Sequence, residues 1–199
     1  MAATPVLLFG GTFDPVHNGH VEMARAAHAE LSLTELILIP AGNPWQRGRL
    51  PIASGEARLT MLRLAFGAEA HIDVRELHRA GPTYTVETLT ELRKERPDCE
   101  WHWLIGSDAF ARLGTWHRAA ELPRLAKFVV AARAGEGVAP PSMLAPDGYR
   151  VLQAAPPPVS STVIRERRSS GKSIRGFAPD AVCDYIEQHK LYLPSEIDP

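Results

Sequence analysis

The residues best equipped for chemistry lie together near the start of the chain. Gly10 to His20 reads GGTFDPVHNGH, placing two glycines, an Asp-Pro step and two histidines, His17 and His20, within eleven positions. A short apolar run leads in and an amphipathic stretch, Val21 to Leu31, leads out. The pattern is that of a strand, a glycine-rich turn and a helix N-terminus. Glycines let backbone N–H groups approach a phosphate closely, and the helix start adds a partial positive charge. Two imidazoles on the first helical turn supply donors whose charge changes near neutral pH. Such an assembly suits a polyphosphate whose negative charge rises during reaction.

Other chemistries fit less well. Histidines three apart share a helical face and could bind zinc, but a third ligand is needed, the nearest candidates are Asp14 and Glu22, and no HExxH arrangement is present. No Lys follows the glycines, so this is not the GxxxxGK[ST] loop, and the absence of GxGxxG disfavours a hydride-transfer dinucleotide fold.

The elements that must position these residues follow from periodicity. Val6–Phe9, Leu36–Ile39, Trp101–Ile105 and Phe128–Ala131 are short apolar runs of the kind found in parallel strands buried on both faces. His71–Val74 alternates like a further strand. Ser54 can cap a helix through about Phe66, and Thr83 or Thr85 can cap one whose buried stripe is Val86, Leu89 and Leu92. Val182, Tyr185, Ile186 and His189 space as a closing helix. Strands alternating with helices predict an α/β fold, a mostly parallel sheet of five or six strands with helices on both faces. In such sheets ligands bind at the carboxyl ends of strands. Gly106 and Asp108 stand at one such end, where Asp108 could accept from ribose hydroxyls, help hold a cation, or stabilise a helix start. Ser161 and Thr162 open a helix with hydroxyls and N–H groups suited to phosphate, and Arg165 adds charge one turn in.

Length and composition bound the rest. At 199 residues the chain is expected to form one domain, 1–199. A formal net charge of −1 gives no basic excess and argues against nucleic acid as the main partner. The first residues lack a charged leader, and no apolar run is long enough to span a membrane. Two widely separated cysteines, Cys99 and Cys183, fit a reduced, cytoplasmic protein. Gly135 to Pro158, rich in Pro, Ala and Gly, reads as irregular connection or short strands.

GGTFDPVHNGH resembles the signature of the (H/T)xGH nucleotidyltransferases, in the form carried by the bacterial nicotinate-nucleotide adenylyltransferase family. Further segments fit in order: PTYTVETL at Pro82–Leu89, IGSD at Ile105–Asp108, TWH at Thr115–His117 and VSSTVIR at Val159–Arg165. The resemblance implies a Rossmann-like nucleotidyltransferase fold. It implies transfer of AMP from ATP to nicotinate mononucleotide, with Mg²⁺ accompanying the nucleotide. His17 and His20 would then donate to the phosphates, with Gly10, Gly11, Thr12, Phe13, Gly106, Asp108, Ser161, Thr162 and Arg165 around ATP. Tyr84, Thr85 and Trp116 would face the mononucleotide, the Trp stacking on its ring. The chain departs from the family pattern twice. Gln46 and Arg47 stand where a His and a base are usual, leaving Arg47 to pair with phosphate, and of two arginines after the fifth strand only Arg133 remains, position 132 being alanine. Phosphopantetheine or nicotinamide mononucleotide as acceptor, and a nucleotide-binding module without chemistry, are the alternatives.

Overall fold

A computed structural model describes residues 3–44, 50–132, 135 and 137–194. β1 (Thr4–Gly11), α1 (Asn18–Leu31) and β2 (Glu35–Pro40) come first. They are followed by α2 (Gly55–Phe66), β3 (His71–Ile72), α3 (Arg75–His78) and α4 (Thr85–Glu95). β4 (Cys99–Gly106) runs directly into α5 (Ser107–Ala111), and α6 (Leu122–Leu125) precedes β5 (Lys127–Ala131). β6 (Tyr149–Val151), α7 (Ser161–Ser169) and α8 (Asp180–Gln188) follow.

The six strands form one sheet in the order β3-β2-β1-β4-β5-β6, every neighbouring pair parallel. Their apolar runs are continuous because both faces are covered. Leu7, Phe9, Leu36, Leu38, Leu104 and Val129 join a cluster with α1, α2, α7 and α8. Their alternates Val6, Leu8, Ile37, Ile39, Trp103 and Phe128 join a second cluster with α4, α5 and α6. Each such side chain, fully buried, contributes about 1.5–3 kcal/mol by leaving water. The chain reverses direction across the sheet between β1 and β4, and parallel sheets of this order bind ligands outside the strand ends at that switch.

Several expected boundaries move. Gly10 and Gly11 pair with Ile39 and Pro40 as the last residues of β1, so the turn starts only at Thr12. α1 begins at Asn18, three residues before its apolar stripe, because His17 caps it. The strand expected at His71–Val74 stops at Ile72, where the Asp73 carboxylate turns to accept the Arg75 N–H at 2.9 Å. Neither Thr83 nor Thr85 caps α4: Tyr84 holds the N-cap position without a side-chain bond. The 135–158 stretch contributes the sixth strand.

Candidate active site

A cleft of about 210 Å³ opens at the carboxyl ends of β1, β2 and β4. Phe9, Gly10, Gly11 and Thr12 line one side, Trp103 and Gly106 another, and Glu76, Thr83, Thr85 and Trp116 the facing wall. Gly10 is small for a packing reason. A Cβ there would stand 2.4 Å from the Trp103 ring, and one at Gly11 would lie 3.0 Å from the Phe13 ring. At both glycines the missing Cβ leaves room for the edge of an aromatic ring beside the strand end.

The two histidines interlock. The His20 N–H donates to Nδ1 of His17 at 3.3 Å, and the His17 N–H donates to Nδ1 of His20 at 3.2 Å. This is a capping box built from imidazoles, which satisfies donors that a helix start otherwise leaves open. The rings stack with centroids 3.6 Å apart, and the His20 ring rests on Phe13 at 5.0 Å and Phe9 at 5.8 Å. Phe13 reaches this position with a backbone φ of 50°, in the left-handed region. Each Nδ1 accepts, so the hydrogen-bond pattern assigns the proton of each neutral ring to Nε2, leaving two N–H donors of fixed identity. The expectation of charge changing near neutral pH is corrected at His17. Burial lowers its pKa to about 4, so it is neutral at pH 7.

Behind the histidines lies a buried polar layer. Arg58 donates to three backbone carbonyls, of Thr12 at 2.9 Å, Ala41 at 2.7 Å and Ala53 at 3.3 Å, which clamps the ends of β1 and β2 to the start of α2. Burial lowers the Arg58 pKa, opposed by the charge of Asp14. The Asp14 carboxylate accepts the N–H groups of Ile52 and Ala53 and the hydroxyl of Tyr192, so it is built into the loop. The Arg165 guanidinium is buried and donates to the Asp14 carbonyl at 2.7 Å and to Oγ1 of Thr162 at 3.1 Å. Ser160 caps α7 through the Val163 N–H, while the Ser161 hydroxyl donates to the Pro15 carbonyl at 2.9 Å. The start of α7 is thereby fastened to the loop that precedes the histidines.

On the facing wall, Tyr84 stacks on His117 with centroids 4.1 Å apart, beside the half-buried Trp116. Glu76, with its carboxyl buried, accepts from the Thr88 hydroxyl at 2.7 Å. Burial raises the Glu76 pKa, against the pull of the Thr88 and Thr83 hydroxyls. Gly106 lines the cleft, and Asp108 is exposed in the first turn of α5. Arg47, with Gln46 beside it, and Arg133 lie outside the described residues.

Arg58 and Glu76 carry no local signal of their place at the site, and Trp103 and Tyr192 read in sequence only as a strand residue and a packing residue. Arg58 reads locally as an ordinary helix cation, and only its place one turn after the Ser54 cap marks it out. Gly10 to Thr12, Thr85, Gly106 and Trp116 line the one cleft, while His17, His20 and the start of α7 are joined beside it through the Asp14–Pro15 loop.

A parallel sheet of this order, with a glycine-lined cleft and a histidine-capped helix at its switch point, defines a Rossmann-like nucleotide-binding protein. Residues 8–167 match the cytidylyltransferase-like family. A probable nicotinate-nucleotide adenylyltransferase from a Synechococcus strain is 40% identical over 195 residues, covering 94% of this chain and 96% of that one. Another from Chromobacterium violaceum is 41% identical over 208 residues, covering 93% and 97%. In three dimensions, the Plasmodium falciparum nicotinic acid mononucleotide adenylyltransferase complexed with NaAD superposes with a TM-score of 0.78. It shares 18% identity, with 95% of this chain and 97% of that one covered. The chain therefore belongs to the cytidylyltransferase-like family and, within it, to the nicotinate-nucleotide adenylyltransferases.

Proposed function

We propose that the chain transfers the AMP moiety of ATP to the 5′-phosphate of nicotinate mononucleotide, giving nicotinate adenine dinucleotide and pyrophosphate. The observation that carries this is the interlocked pair His17 and His20 at the switch-point edge, within a chain about 40% identical to proteins named for that reaction. An oxygen of the acceptor phosphate attacks the α-phosphorus of ATP, the bond to the bridging oxygen breaks, and pyrophosphate leaves. The acceptor is already anionic, so no strong base is required, and catalysis consists of alignment and charge stabilisation.

His17 and His20 donate from Nε2–H to the α- and β-phosphates as charge builds there. A neutral His17 suits this role, because its tautomer is fixed before substrate arrives and needs no reorganisation. Backbone N–H groups past the end of β1, at Thr12 and Phe13, and the start of α7 at Ser161 and Thr162, with Arg165 behind them, hold further phosphate oxygens, while Gly10 and Gly11 keep the strand end beneath them slim. Gly106 and Asp108 face the nucleoside. Trp116 offers its face to the electron-poor pyridine ring, a cation–π partner, with Tyr84 and Thr85 at its rim and Arg47 and Arg133 toward the mononucleotide phosphate.

Mg²⁺ would accompany the triphosphate as part of the substrate. The nearest loop carboxylate, Asp14, spends its oxygens on Ile52, Ala53 and Tyr192, and the described residues hold no group of three His, Cys, Asp or Glu able to cage a cation. Ligation by phosphate oxygens and water fits this donor set and the habits of the ion, which when bound neutralises phosphate charge. Side-by-side turnover of the acid and amide mononucleotides with ATP tests the reading. Pyrophosphate release is expected with the acid and at least tenfold less efficiently with the amide. Equal use of both, or of phosphopantetheine alone, would overturn it.

A further inference from the structure

Asp14 is the meeting point of four parts of the chain far apart in sequence. Its Oδ1 accepts from the Tyr192 hydroxyl at 2.8 Å and from the Ala53 N–H at 3.1 Å, while Oδ2 accepts from the Ile52 N–H at 2.9 Å. Its backbone carbonyl takes the Arg165 guanidinium at 2.7 Å. The loop that carries His17, the lead into α2, the first turns of α7 and the turn after α8 are thus joined through one residue. Asp14 is 3% exposed and Tyr192 is fully buried, so water does not compete for these bonds.

The backbone is held in an unfavourable conformation on both sides of this junction. Phe13, which precedes Asp14, has φ of 50°, and Tyr192 has φ of 60°, both in the left-handed region that side chains disfavour. Lys190 adds a third such residue, with φ of 54°, in the turn that aims the tyrosine inward. Conformations of this kind persist where the surroundings over-determine them, and they collect at working sites. Burial and the Asp14 charge push the Tyr192 hydroxyl far above the ordinary tyrosine range, so it donates at any working pH.

We propose that Tyr192 is a positioning residue for adenylyl transfer: its hydroxyl fixes the Asp14 carboxylate, and Asp14 sets the histidine loop against the Ile52–Ala53 segment. The inference rests on the functional reading above. Tyr192 acts through Asp14 and not on substrate. The segment at Ile52–Ala53 closes the connection that leaves β2 at Ala41, a cleft residue, so Asp14 spaces two loops across the phosphate edge. Loss of the hydroxyl lets the carboxylate turn, and small displacements of aligned groups are costly in rate.

The test is Tyr192→Phe, which keeps the ring and its packing. ATP affinity by calorimetry is read beside pyrophosphate release with ATP and nicotinate mononucleotide. The expected result is a turnover about tenfold lower and an ATP Kd raised several-fold, with the melting temperature within a few degrees of wild type. In an Asp14→Ala background, Tyr192→Phe should give no further loss, since the carboxylate through which the hydroxyl acts is already gone. Unchanged turnover and ATP Kd alongside a lowered melting temperature would overturn the inference, as would losses that multiply in the double variant. If the wild type binds ATP but ignores nicotinate mononucleotide, the functional reading fails, and the comparison of ATP Kd still decides the role of Tyr192. Should Tyr192→Phe not fold, Asp14→Asn alone carries the same two readouts.

Discussion

Gly19 lies close under the His17 ring: a Cβ there would stand 3.0 Å from Nδ1 of the ring and 3.4 Å from the Pro157 carbonyl, so a side chain would crowd it. The glycine between the two histidines is thus what lets the first ring fold back over its own helix start and accept the His20 N–H.

Gly19→Ala should therefore separate activity from stability. An alanine in a helix normally gains up to about 1 kcal/mol over glycine, which offsets part of the crowding. The His17 ring must shift by a few tenths of an ångström, and turnover should fall about tenfold while the melting temperature moves little. Steady-state pyrophosphate release and a thermal melt check this. Unimpaired turnover would show that the ring position is not critical.

The low pKa of His17 has a consequence for stability. The folded state holds the ring neutral down to about pH 4, whereas the unfolded chain protonates it near the ordinary 6.5. Between those values the unfolded state binds more protons, so stability declines as pH falls from 6.5 to 4 and is unaffected by this group above 6.5. The loss amounts to about 3 kcal/mol. Urea melts across that range should show a steeper decline in wild type than in His17→Asn, which retains a capping acceptor but does not titrate. Parallel curves would contradict the assignment.

Arg58 looks like a surface cation in sequence and is a clamp in the structure. Arg58→Met keeps much of the side-chain volume but leaves the carbonyls of Thr12, Ala41 and Ala53 without this donor and removes one of the two positive charges beside Asp14. Breaking a buried charged network of this kind costs about 3–5 kcal/mol. Chemical denaturation should show that loss, and a change below about 1 kcal/mol would mean the clamp is dispensable.

How much could be read in advance divides along sequence distance. The apolar runs at Val6–Phe9, Leu36–Ile39 and Phe128–Ala131 announce buried parallel strands because both faces are covered, and that burial needs only local composition. The histidine motif is legible for the same reason: its residues are neighbours in sequence and in space. What local pattern could not give are bonds closed by the fold, such as Asp14 to Ile52 and Ala53, 38 and 39 positions on, or Tyr192, 178 positions on. The glycines show a subtler limit. Their presence at the strand end was expected to serve phosphate approach, yet Trp103, on another strand, blocks a Cβ at Gly10, and Phe13 crowds one at Gly11. Tyr84 likewise shows only in three dimensions that its ring lies on His117.

In this reading Nε2–H of each interlocked histidine stabilises charge on the transferring phosphates. It is tested most directly by the rate of pyrophosphate release from ATP and nicotinate mononucleotide in His20→Ala against wild type, each at saturating substrate. Turnover should fall about 10²–10³-fold, the usual effect of removing one preorganised donor, with the folded content by circular dichroism retained. Turnover equal to wild type in a folded His20→Ala protein would contradict it.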